Sequence, residues 1–149
     1  GSNDEYGTCI IEVEDGQYAV LGNRVNGESD SEMLLYGIET EGLLIGNSSL
    51  LATISEQNAD LTGNRIVKAG NGTFTIAGTR RINGNSEISL QFISSNFAVE
   101  ELVSYGASGT QTGKDIELSR DGGFVVLGTN SFGQSSMISL MKTSVTGNL

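Results

Sequence analysis

The chain of 149 residues contains no proline, no tryptophan and no histidine. Without histidine a Ser/His/Asp triad is impossible, and a cysteine nucleophile would lack its usual base. Cysteine occurs once, at Cys9, which excludes an intrachain disulfide and a cysteine metal cluster. Its neighbours Ile10 and Ile11 mark it as a small buried hydrophobe. Basic residues are scarce: 8 Lys and Arg face 18 Asp and Glu, for a net charge of −10. That field repels nucleic-acid phosphates and an acidic membrane surface alike. No run approaches the roughly 18 consecutive apolar residues of a helical membrane span. No G-x-S-x-G elbow, Walker-type loop or dinucleotide-binding loop is present. Gly1-Ser2 reads as the scar of a cleaved tag, so no signal peptide is expected within the chain.

Glycine, by contrast, is abundant: 21 residues, about twice its average share. Together with 37 % apolar content, this predicts short strands joined by tight turns around a lean core, in a single all-β domain spanning 3–149.

The glycines are ordered. With Tyr18, Phe74 and Phe124 set in register, Gly7, Gly63 and Gly113 fall eleven residues earlier, and Ile10, Ile66 and Ile116 eight earlier. Asp15, Asn71 and Asp121 stand three before each aromatic, each followed by glycine (Gly16, Gly72, Gly122). Val20, Ile76 and Val126 follow two residues later, then Gly22, Gly78 and Gly128. The aromatics are 56 and 50 residues apart, a period that calls for a repeat architecture. Each Asp/Asn-Gly pair between apolar runs is a two-residue hairpin signal.

After the second glycine each unit enters a polar segment ("NRVNGESDSE", "TRRINGNSE", "TNSFGQSS"), read as a loop, and then a third apolar run. The first two units add a fourth run, "GLLIGNSSLLATI" and "FAVEELVSY", whereas the third stops at Leu149. The units span approximately 3–57, 58–107 and 108–149. Four short antiparallel strands in about 50 residues are the measure of a propeller blade. The expectation is a β-propeller-like array of three four-stranded antiparallel blades, with the anchor aromatics packed between blades. A β-sandwich is the alternative.

The stretch "DGGFVVLGTNSFG" from Asp121, continued by "LMKTSVTGN" from Leu140, resembles the β-propeller repeats of bacterial exported and surface proteins. Their consensus reads roughly D-G-G-Y-x-x-x-G-x-T-x-S-F-G, then L-x-K-T-D-x-x-G-N. The first two units match more loosely, and no unit carries the tryptophan that the family places soon after G-N. The resemblance implies fold but no catalytic residues. It also implies export to the periplasm, outer membrane surface or extracellular space of a bacterium, often as a lipoprotein.

Three blades are fewer than the four to eight or so that close a ring. Eleven strands, with the third unit lacking its fourth, leave an unpaired edge that favours association or strand donation. The chain is therefore expected to be a homo-oligomer that completes its ring, or a fragment of a longer propeller.

The densest set of oxygen ligands is Asn26, Glu28, Asp30 and Glu32, at alternate positions of the first polar segment. Such a loop can converge on Ca²⁺, with Gly27 easing the turn, although the full D-x-D-x-D-G frame is missing. A solvated acidic loop is the competing reading, and no other cofactor is expected. Lys68, Arg80 and Arg81 form a basic cluster suited to an anion or an acidic partner, and Phe132 is the aromatic freest to stack on a ligand. These features favour a non-catalytic binding or scaffold module that recognises a protein or glycan through its inter-strand loops. An accessory domain of a larger glycan-degrading exported enzyme is the alternative, and an enzyme using carboxylates in a central channel is a third reading.

Overall fold

The apolar residues of the chain alternate with polar ones over short spans, and this period-two pattern becomes strand throughout. The computed structural model describes residues 3–26, 30–39 and 48–149. Among these lie eleven strands, in three antiparallel sheets of four, four and three. Sheet 1 holds β1 (Asp4–Glu14), β2 (Gln17–Asn26), β3 (Asp30–Glu39) and β4 (Ser48–Ile54). Sheet 2 holds β5 (Ala59–Lys68), β6 (Phe74–Ile82), β7 (Asn85–Ile93) and β8 (Val99–Tyr105). Sheet 3 holds β9 (Thr110–Leu118), β10 (Phe124–Phe132) and β11 (Ser135–Thr143). Every hydrogen-bonded pair joins strands consecutive in sequence.

Two local expectations are corrected. The Asp/Asn-Gly pair makes a two-residue hairpin only at Asp15-Gly16, where Glu14 faces Gln17 and Gly16 has φ 75°. In the other units Lys68 faces Phe74 and Leu118 faces Phe124, so the pair sits inside a longer connection. There Asn71 Oδ1 accepts the Thr73 N–H at 3.2 Å and Asp121 Oδ1 the Gly123 N–H at 3.1 Å. The side chain mimics a backbone turn, and Gly72 and Gly122 supply the positive φ that follows.

Where they are described, the polar segments are not loops either. Thr79–Ile82 continues β6, Asn83-Gly84 turns with φ 51° and 79°, and Asn85 opens β7. Positive φ at both turn residues matches the strand twist, so the ribbon runs on.

The paired glycine columns have one cause. Gly7, Gly63 and Gly113 face Gly22, Gly78 and Gly128 across the first two strands of each sheet. Just after the first glycine the register slips by one residue, leaving Thr8, Asn64 and Lys114 as bulges. The bulge drives the preceding carbonyl toward the second strand. A Cβ on Gly22 would meet Tyr6 O at 3.1 Å, one on Gly128 would meet Thr112 O at 2.7 Å, and one on Gly78 would overlap Thr62 O. Only glycine leaves that carbonyl room.

The sheets stack in sequence. β5 lies against β1, β2 and β3, and β9 lies against β5, β6 and β7. Phe74, Leu61, Ile66, Ile76 and Ile93 of sheet 2 close a core with Ala19, Leu21, Met33, Leu35 and Ile54 of sheet 1. On the opposite face of sheet 2, Ala77, Ile88 and Leu90 pack on Ile116, Phe124 and Val126 of sheet 3. Phe74 stacks on Phe97 at 5.1 Å between ring centroids, and Phe124 meets Phe92 tilted at 6.1 Å. Two anchor aromatics thus fill the seams between sheets as expected. Tyr18, on whose side of sheet 1 no other sheet packs among the described residues, is only half-buried.

Candidate functional site

A cleft of about 720 Å³ opens where sheet 1 meets sheet 2. Tyr6 of β1 and Val25 of β2 form one wall, and Asp30 and Ser31 at the start of β3 the rim. Asn58, Ala59, Asp60 and Thr62 line the other wall around β5, and Arg81, Asn83 and Gly84 close it from the β6–β7 ribbon. The continuation of β6 into a tight turn places Arg81 and Asn83 here. A hydrogen bond from the Ser31 N–H to Asp60 Oδ1, 3.1 Å, ties the two sheets at the cleft. Asn58 also adopts positive φ, 61°, which Asn tolerates better than most residues. Tyr6 is 49 % exposed, so much of its side chain is available to a ligand.

The structure separates the basic cluster. Arg80 is engaged internally: its guanidinium clasps both oxygens of Glu56 at 2.6 and 2.5 Å and reaches Glu87 at 3.3 Å. Ser104 donates to the same Glu87 oxygen at 2.6 Å. The Arg80 hydrogen bonds hold the Glu56 carboxyl below its usual range against the opposing push of burial. Lys68 donates to the Val13 carbonyl and so fastens β5 to β1. Arg81 alone of the three is exposed and makes no ion pair among the described residues. Phe132 lies apart, at the end of β10, with its ring over the backbone of Gly109 and 40 % exposed.

The four oxygen ligands proposed for calcium fare differently from one another. Glu28 lies outside the described residues. Asn26 donates its amide to Glu32 Oε1 at 2.5 Å, and Arg24 reaches the same oxygen at 2.6 Å. Burial pushes the Glu32 carboxyl up, but the hydrogen bonds from Asn26 and Arg24 and the guanidinium charge outweigh it and hold the group below the usual range. Asp30 faces the cleft. Among the described residues no group of three or more Cys, Asp or Glu side chains converges as metal ligands.

Sequence reasoning singled out Arg81 but missed Tyr6, Asn58, Asp60 and Asn83. These come from two units and lie outside the seven columns that recur in all three. The available signal was the disagreement between "TRRINGNSE" and its sister segments. Neither a protein-family model nor a curated protein matches the chain.

Proposed function

We propose that the three sheets are successive blades of a β-propeller-like array, and that the chain is a non-catalytic glycan-binding module of an exported bacterial protein. The array reading is supported by repetition: β9 stands to sheet 2 as β5 stands to sheet 1. A β-sandwich buries one core between two sheets, whereas sheet 2 carries a separate core on each face. The resemblance to exported propeller repeats supports the compartment.

The cleft carries the binding reading. Its volume falls within the roughly 300–1,000 Å³ of ligand sites. An exposed tyrosine ring offers a stacking surface for a sugar face, while the amides of Asn58 and Asn83 and the carboxylates of Asp30 and Asp60 can divide donors and acceptors among hydroxyls. Arg81 adds a free cation for an acidic sugar. Calorimetric titration with acidic and neutral oligosaccharides tests this. Tyr6→Ala and Arg81→Ala should each weaken binding about tenfold or more while leaving the fold intact. Binding unchanged in both variants would remove the cleft from the function. The same module within a larger glycan-degrading enzyme would use the same cleft.

A further inference from the structure

The two seams between sheets are built from the same contacts. At the first, Thr8 Oγ1 donates to the Gly63 carbonyl at 3.0 Å, and Asn23 brackets that glycine, donating to its carbonyl at 2.9 Å and accepting its N–H at 2.7 Å. At the second, Asn64 Nδ2 donates to the Gly113 carbonyl at 2.6 Å, and Thr79 Oγ1 accepts the Gly113 N–H at 3.2 Å. In each case the bulge residue and the residue after the second glycine seize the first glycine of the next sheet. That glycine sits in close contact: a Cβ on Gly63 would crowd the Leu21 and Ile76 side chains at 3.1 Å, and one on Gly113 would overlap the Gly78 carbonyl.

Sheet 3 carries the same apparatus with nothing in it. Lys114 is its bulge and Thr129 follows its second glycine, and neither side chain has a hydrogen-bond partner among the described residues. Around them the trailing face is bare. Ile138 is 83 % and Leu140 71 % exposed, where Ile88 and Leu90 in the same columns are 3 % and 0 %. The leading face of sheet 1 is bare in the complementary sense. Ile10 is 59 % exposed, against 0 % for Ile66 and 1 % for Ile116. Gly7 is the telling residue: a Cβ there meets nothing within 4 Å, and its φ is not positive. Nothing among the described residues of the single chain requires it to be glycine.

We infer that the leading face of a second copy of this chain docks on the trailing face of sheet 3, seating Gly7 of that copy against Lys114 and Thr129. The contact continues the two seams already present and is heterologous, joining one end of the chain to the other end of its neighbour. It rests on the array reading and is independent of the glycan cleft.

The native mass of the full chain, measured across a concentration series, tests it. The expected species contains two chains of 15.6 kDa each. Gly7→Val, Ile10→Asp and Ile138→Asp should each halve that mass without loss of β-sheet circular dichroism, because all three positions are open in the single chain. An equimolar mixture of the Ile10→Asp and Ile138→Asp chains should recover a two-chain species, since one intact seam remains between them. A single-chain mass at every concentration overturns the inference, as does a dimer that survives Gly7→Val or a mixture that fails to pair. Asn64→Leu separates the underlying reading: if it leaves the stability of the single chain unchanged, the array itself is wrong. If it destabilises the chain while the mass never exceeds one chain, only the docking is wrong.

Discussion

Sheets 2 and 3 share the recurring columns of the repeat but have opposite surroundings. Leu90 and Leu140 occupy the same position on the third strand of their sheets, yet one is sealed and the other 71 % exposed. Each leucine faces the second strand in the same register, opposite Ala77 in sheet 2 and Leu127 in sheet 3. The difference lies in the neighbour: β9 covers Leu90, and among the described residues no strand covers Leu140. A repeat column records what a residue can do at a seam, and the stacking decides whether it does so.

Cutting the two leucines back gives the largest expected split. Leu90→Ala should cost about 2–5 kcal/mol in denaturant unfolding, and Leu140→Ala, measured at dilution, under about 0.5 kcal/mol. Comparable losses at both sites would mean that sheet 3 is covered in the single chain. The seam glycines should split next. Gly113→Ala forces a methyl into the Gly78 backbone and should cost about 1–3 kcal/mol, whereas Gly7→Ala should be neutral or slightly favourable for the single chain by the same assay.

A smaller contrast concerns cross-strand charge. Arg24 faces Glu32 and Arg80 faces Glu87, but sheet 3 places Asn130 opposite Met137. Arg80→Met leaves Glu56 and Glu87 without their cation and should cost about 1–2 kcal/mol, whereas Asn130→Ala should cost less. Thermal unfolding of both variants ranks them.

Acid should act in the same order. Glu32 and Glu56 are held below the carboxylate range in the folded chain, so the unfolded chain binds more protons, and their contribution, full above the ordinary value, fades as pH falls. In sheet 3 the hydrogen bond from Lys142 and those at Gly123 and Ser119 draw Asp121 down to about 2 from 3.8. This carboxylate is exposed to solvent, so its effect is the smallest of the set. A carboxyl titration by NMR should find it ionised through pH 3, and a midpoint near 4 would dissolve the turn's ion pair.

The number of strands and their grouping were legible in the sequence because seven columns recur and alternation of period two leaves little room for helix. The ribbons were less legible: "TRRING" has the polarity of a loop, and nothing in its composition shows that β6 and β7 keep pairing beyond the core. Nor could the bulges be read, since Thr8, Asn64 and Lys114 share a position but no chemistry. What unites them is a register slip, visible only once Gly7, Gly63 and Gly113 are seen opposite their partners. The cleft was half legible. Arg81 stood out as a cation, but the distance from Tyr6 to Asn83 is set by how two sheets stack, which no local pattern carries.

The order of the strands has a consequence for how the chain opens and closes. Because each strand pairs only with the strand before or after it, a sheet can zip from one turn to the next without first closing a long loop, and contact order stays low for an all-β chain. Solvent then enters from the ends. Amide protons of β11, which has one hydrogen-bonded neighbour and a bare face, are released early by local fraying, and those of β6 and β7, paired on both edges and covered on both faces, await the loss of the whole array. The middle third of the chain is its slowest clock.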